Sequence, residues 1–245
     1  MFPYDAKLAA AVATTPQTVA DVVEALETIQ AICVDGDGLK WFNGLYLQVT
    51  QAVQARCQLQ EGGADGFLNP EWIAALDVRF ASFYLNALKD SLTGTATPGC
   101  WQALFAVRNV GGIARIQFAV AGMNAHINHD LPQAVLGICQ ATEDAPKHGT
   151  EQYNDYTAIN TTLDSLMDAA KQTLHAGLLG DALPPVGRLE DTLAAWNVTA
   201  AREAAWNNAE LLWNLAGATP VAAAFLGTLD GLTAVASKAL LIPVL

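Results

Sequence analysis

The chain has 245 residues, of which 52% are hydrophobic and only 15% charged, a balance that predicts a large core in one domain or two small ones. Its formal net charge of −12 repels phosphate backbones, which argues against nucleic acid and anionic membranes as partners. Abundant alanine and few β-branched runs favour helix over strand.

From the N-terminus, Met1–Lys7 and the following "LAAAVATTP" offer one lysine and a short apolar run broken by threonines. That is poor material for a signal peptide, and residues 1–15 read as a loose segment. "TTPQTVADVVEALETIQAI" carries a threonine cap, Pro16 near the first turn, and apolar Val19, Val22, Val23, Leu26 and Ile29 at helical spacing. "DGDG" at 35–38 starts like a calcium loop but lacks the later ligands, so it reads as a turn. Residues 39–58 form the next expected helix, which "EGGADG" stops. Asn69–Pro70 opens another that runs to about Lys89, where "LTGTATPG" ends it.

Further helices are expected from Cys100 to Asn109 and from Ala114 through "GMNAHINHDLP" (122–132). Three more fall near 151–175, 188–215 and 219–240, with a loop at 181–187. Nothing alternates with period two for long. The expected fold class is all-α, a single-domain bundle of about eight helices spanning 1–245. The stretch 217–245 is the most apolar, but Asp230 and Lys238 interrupt it. Its runs look too short to span a bilayer, and a buried C-terminal helix is expected. Cys33, Cys57, Cys100 and Cys139 are widely spaced with no CxxC. They read as buried free thiols, which places the protein in a reducing cytoplasm.

Polar residues inside apolar stripes carry the functional signal, because burying an unpaired charge is costly. Asp77 lies in the stripe of Trp72, Ile73, Leu76, Phe80, Phe83 and Tyr84. It requires a cation, a metal or several donors. Arg202 sits one turn before Trp206 on a stripe that continues to Ala209 and Trp213. Stacking on tryptophan, pairing with a buried carboxylate and simple surface snorkelling are its three options. On a helical wheel Gly122, His126, His129, Asp130 and Gln133 share one face, with Gly122 leaving room for a neighbour or ligand. Pro132 withdraws the hydrogen bond to the Asn128 carbonyl, which predicts a kink or a new helix start. Two imidazoles and a carboxylate on one face can hold a divalent metal, with Zn, Fe or Mn as candidates and His126, His129 and Asp130 as ligands, joined by Asp77. They can equally form a metal-free acid–base site, or an interhelical hydrogen-bond network. In "NDYTAINTTLDSLMDAAKQTLH" the residues Asn160, Asp164, Asp168, Lys171 and His175 make a polar stripe, and Asn160 borders its apolar side. No P-loop, GxSxG, GxGxxG or DDxxD motif is present.

"LYLQVTQAV" (45–53), "FLNPEWIAALDVRFASFYLNAL" (67–88), "GMNAHINHDLP" and "AREAAWNNAELLW" (201–213) together resemble a bacterial, largely actinobacterial family, domain-of-unknown-function 5995. Its hallmark is GMNAHINxDLP. The resemblance marks Asp77, Asn124, His126, Asn128, Asp130, Arg202 and Trp206 as signature positions. It leaves His129 at the variable one, so His126 with Asp130 is the firmer pair.

These features predict a helical enzyme with one buried polar pocket. His126 acts as general base or metal ligand, Asp130 and Asp77 orient it or co-ligate, and Arg202 holds an anionic or carbonyl oxygen. Asn124, Asn128, Tyr84, Trp206 and Asn160 are the expected binding residues. The aromatic lining, Trp72, Phe80, Tyr84 and Trp206, suggests a lipophilic small molecule undergoing hydrolysis, cyclisation or isomerisation in specialised metabolism. The competing reading is a non-catalytic binding or scaffold protein, in which the motif is a structural network and Asp77–Arg202 a buried ion pair.

Overall fold

The computed structural model describes residues 2–59, 61–63, 65–166, 168–169 and 197–243. Its elements are α1 (Asp5–Ala11), α2 (Val19–Ile32), α3 (Leu39–Cys57), α4 (Pro70–Thr93), α5 (Gly99–Phe105) and α6 (Arg115–Ala125). A π-helical turn (His126–Asp130) leads into α7 (Leu131–Thr142), followed by α8 (Glu151–Ala158), α9 (Val198–Asn214) and α10 (Thr219–Leu240). No strand occurs among the described residues, and the protein is an all-α bundle.

The bundle is built around α6. Its sequence "RIQFAVAGMNA" is small and apolar all round, so it can be covered on every side, and each residue from Ile116 to Ala125 is buried. α3 and α10 pack against it, while α7, beyond the π-turn, packs against α4 and α9. A Cβ at Gly122 would overlap the ring of Phe42 on α3. The space that this glycine leaves is therefore taken by the core and not by a ligand.

Local chemistry sets most boundaries. Thr18 accepts from the Asp21 amide and Asp21 accepts from the Thr18 amide, a reciprocal cap that starts α2 two residues beyond Pro16. Asn69 caps α4 with Pro70 in its first turn. α4 runs past Lys89 to Thr93, because nothing breaks it before Gly94, whose φ of 76° only glycine adopts freely. After α8 the chain turns at Ile159 and is helical again over 160–166. Lys171, His175, the loop at 181–187 and the start of the helix expected at 188–215 lie outside the described residues.

Both termini differ from expectation. Residues 1–15 are not loose: α1 buries Leu8 completely, and the Tyr4 hydroxyl donates to Asp37 at 3.0 Å. Asp37, from the "DGDG" turn, is itself fully buried and receives two hydrogen bonds from Arg108, at 2.9 and 2.5 Å. Sequence reading sees an exposed turn there because its partners are 33 and 71 residues away. α10 is not a buried helix either. Only Thr233, Ala234, Ser237 and Leu240 are buried, whereas Val221, Leu232 and Val235 are more than half exposed. By length and composition its 22 residues could cross a membrane, contrary to the expectation of runs too short to do so. Its inward face mixes Ala234 and Leu240 with Thr233 and Ser237, and the Thr233 carbonyl and Ser237 hydroxyl meet a buried asparagine of α6.

Candidate functional site

Pro132 has no amide hydrogen to return to Asn128, and the chain responds with one wide turn: the Leu131 amide bonds to the His126 carbonyl, five residues back. This breaks the 3.6-residue wheel. Asp130 becomes a hub. Its Oδ2 accepts from His126 Nδ1 and from Trp101 Nε1, each at 2.9 Å, and its Oδ1 accepts from His129 Nδ1 at 2.7 Å. The two imidazoles thus flank the carboxylate. They do not converge on a shared point, so the expected metal set His126, His129 and Asp130 is not assembled. Asp77 does not join the two histidines either. Among the described residues, the side chains whose ligand atoms do converge are Cys100, His129 and Asp230.

Burial alone would raise the Asp130 carboxyl, but the hydrogen bonds from the two histidines outweigh it and hold the pKa below its usual range. His126 has no second hydrogen bond, and burial keeps it below its ordinary value, hence neutral. For His129 burial works the same way, but the Asp130 bond and charge prevail and raise it. With Nδ1–H spent on Asp130, His126 Nε2 is a base without a proton and without a partner. The ring lies in an aromatic box. It stacks on Phe80 with centroids 3.5 Å apart, and Tyr46 stands edge-on at 4.6 Å.

Next to that box is a cavity of about 40 Å³, lined by Tyr46, Val49, Ile73, Leu76, Asp77, Phe80, Leu131, Ile159 and Arg202. Asp77 is buried there without a hydrogen bond, and its Oδ2 is sealed from solvent. Burial pushes its carboxyl up to about 7. The Tyr46 hydroxyl is likewise buried and unpartnered, its pKa raised by burial and by the charge of Asp77. Tyr46 Oη, Asp77 Oδ2 and His126 Nε2 are three of the six orphaned buried side-chain atoms among the described residues. Such orphans are rare and cluster where a ligand is missing or chemistry occurs. A larger groove of about 420 Å³ runs beside Ala11–Thr28, but its walls are largely exposed, and its Asp21 is committed to the α2 cap.

Arg202 reaches the same cavity and does not pair with Asp77. Its Nε donates to Asn160 Oδ1 at 2.7 Å and its Nη2 to the Tyr156 carbonyl at 2.6 Å. It stacks over the Tyr156 ring at 4.1 Å and not over Trp206. Burial lowers its pKa, and no described carboxylate neutralises it. The structural ion pair of the competing reading is therefore absent among the described residues.

The expected binding residues divide. Asn160 orients Arg202. Asn124 and Asn128 lie outside the cavity: Asn128 donates to Asn124 at 2.8 Å, and Asn124 donates to the Thr233 carbonyl and Ser237 Oγ, which fastens α10. Tyr84 donates to Asn43 in the core. Trp206 packs on Tyr153 and Tyr156. Of the expected aromatic lining, Phe80 lines the cavity, and Trp72, Tyr84 and Trp206 do not. Sequence reasoning missed Tyr46 and Trp101, which look like ordinary core aromatics. Only the absence or presence of a partner for the polar atom separates the two roles.

No curated protein and no solved structure matches the chain. The model of a family of unknown function (DUF5995) matches residues 19–243, and with that coverage the chain belongs to this family.

Proposed function

We propose that the protein is an enzyme performing acid–base chemistry on the polar end of a lipophilic small molecule. The observation that carries this reading is the buried, partnerless Asp77 on the wall of a mainly apolar cavity that a guanidinium without a carboxylate also lines. A carboxyl that titrates near 7 is suited to taking and returning a proton at neutral pH. Arg202, fixed by Asn160 and Tyr156, is placed to hold a carbonyl or carboxylate oxygen. His126, oriented by Asp130 and neutral, is the second base. The cavity takes only a few heavy atoms, so the reacting group enters it and the remainder lies outside. Isomerisation or cyclisation by proton transfer fits better than hydrolysis, since it needs only acid and base groups and no attacking water held beside the substrate in so small a cavity. The same reading places the chain in a reducing cytoplasm, on its four free cysteines.

A second reading rests on a different observation. Asn128 and Asn124 form a hydrogen-bonded chain that holds α10, and Trp101, His126 and His129 all donate to Asp130, which is what a scaffold role for the motif requires.

One experiment separates them. The wild type and Asp77→Asn are screened by thermal shift against short aliphatic and aryl carboxylates and ketones at pH 8. The enzyme reading expects a more stable apo variant that no longer responds to compounds stabilising the wild type. A less stable variant with an unchanged ligand response would refute it.

A further inference from the structure

We infer that Cys100, His129 and Asp230 form a zinc site that ties α10 to the body of the protein, separate from the Asp77 cavity. The three residues come from the start of α5, the π-turn and the middle of α10. One ligand atom from each lies within 4.8 Å of the other two. Cys100 is fully buried and His129 nearly so. A thiol, an imidazole and a carboxylate make a donor set suited to a borderline-soft divalent ion, with water as the fourth ligand.

Three further observations point the same way. His129 Nδ1 is held by Asp130 at 2.7 Å, which turns Nε2 outward, the carboxylate–histidine arrangement that orients ligands in zinc proteins. Asp230 is the only acidic residue on α10, and Lys238 is the only other charged one. Its two oxygens accept the Gly99 and Cys100 amides at 2.9 Å, which fixes the carboxylate and leaves lone pairs for an ion. Gly99 permits this approach, since a Cβ there would stand 3.1 Å from Asp230 Oδ2. Gln133 Nε2 lies 3.4 Å from His129 Nε2, a long contact that an ion would displace, while its stronger bond to the His129 carbonyl at 2.8 Å remains. Binding exchanges the Cys100 S–H proton for the metal, so each ion taken up releases one proton to solvent.

The test uses the untagged full chain, stripped with a chelator and titrated with Co²⁺, then with Zn²⁺. One ion per chain is expected, with a sulfur-to-cobalt charge-transfer band that Zn²⁺ abolishes. Cys100→Ser should lose the band. His129→Ala and Asp230→Asn should weaken binding by about tenfold or more. His126→Ala and Cys139→Ser should leave both unchanged. Cys100→Ser decides the matter even where the other two variants fail to fold, because serine keeps the size and the hydrogen-bonding capacity of cysteine. A folded wild type that binds no ion, a band that survives Cys100→Ser, or loss of the band in His126→Ala alone would each overturn the assignment.

Discussion

Two buried aspartates, Asp130 and Asp77, behave oppositely. Asp130 accepts three hydrogen bonds from Trp101, His126 and His129, and it is held ionised. Asp77 accepts none and is pushed up to about 7 by burial alone. One carboxylate is satisfied and holds helices together. The other is stored unsatisfied on a cavity wall, at a cost in stability that a purely structural residue has no reason to carry. Burial alone does not separate the two; the presence or absence of donors does.

The sharpest way to break this contrast is to remove the satisfied member. Asp130→Ala strands a tryptophan N–H and two histidine N–H groups in the core, and a loss of about 3–5 kcal/mol is expected in urea unfolding. A loss below about 1 kcal/mol would show that the hub is not structural.

Asp77 gives the next largest effect, through pH. Its folded pKa is raised from 3.8 to about 7, so between those values the folded protein binds more protons than the unfolded chain. Its contribution is therefore fully present below about pH 4 and is lost as the pH rises through 7. At 1.36 kcal/mol per unit, that is roughly 4 kcal/mol at most. Asp77→Asn removes this slope. Unfolding free energies at pH 5 and pH 8 should converge at the acid end and favour the variant at the alkaline end. Parallel curves for the two proteins would place the titration elsewhere.

The smallest expected change concerns the motif's other half. Asn124→Ala deletes the two hydrogen bonds to α10 and leaves Ser237 Oγ and the Thr233 carbonyl short of a donor. About 1–3 kcal/mol should be lost, with faster amide exchange confined to α10 and its neighbours. Uniformly faster exchange would mean that α10 is no separate unit.

Much of this was legible in residue order. A threonine cap ahead of α2, the Asn69–Pro70 start and the place of Asp77 inside an apolar stripe follow from local propensity and 3.6-residue spacing. The proline signal at Pro132 was also legible, but not its result. A wide turn moves side chains off the wheel by a full residue, so His126 and His129 flank Asp130 instead of sharing a face. The Asp37–Arg108 pair and the Asp230 contact to α5 were invisible for another reason: their partners lie 71 and about 130 residues apart.

The sequence by itself determined that the chain is helical, where most helices start and stop, and that Asp77 sits inside an apolar stripe. Each of those depends on neighbours within a turn or two. Only the tertiary structure decided which inward polar groups find partners. It gave three donors to Asp130 and none to Asp77, set Ser237 and the Thr233 carbonyl of α10 against Asn124, and brought Cys100 and Asp230 to His129. Hydrogen bonds are short and directional, and whether one forms across a core depends on how distant helices pack.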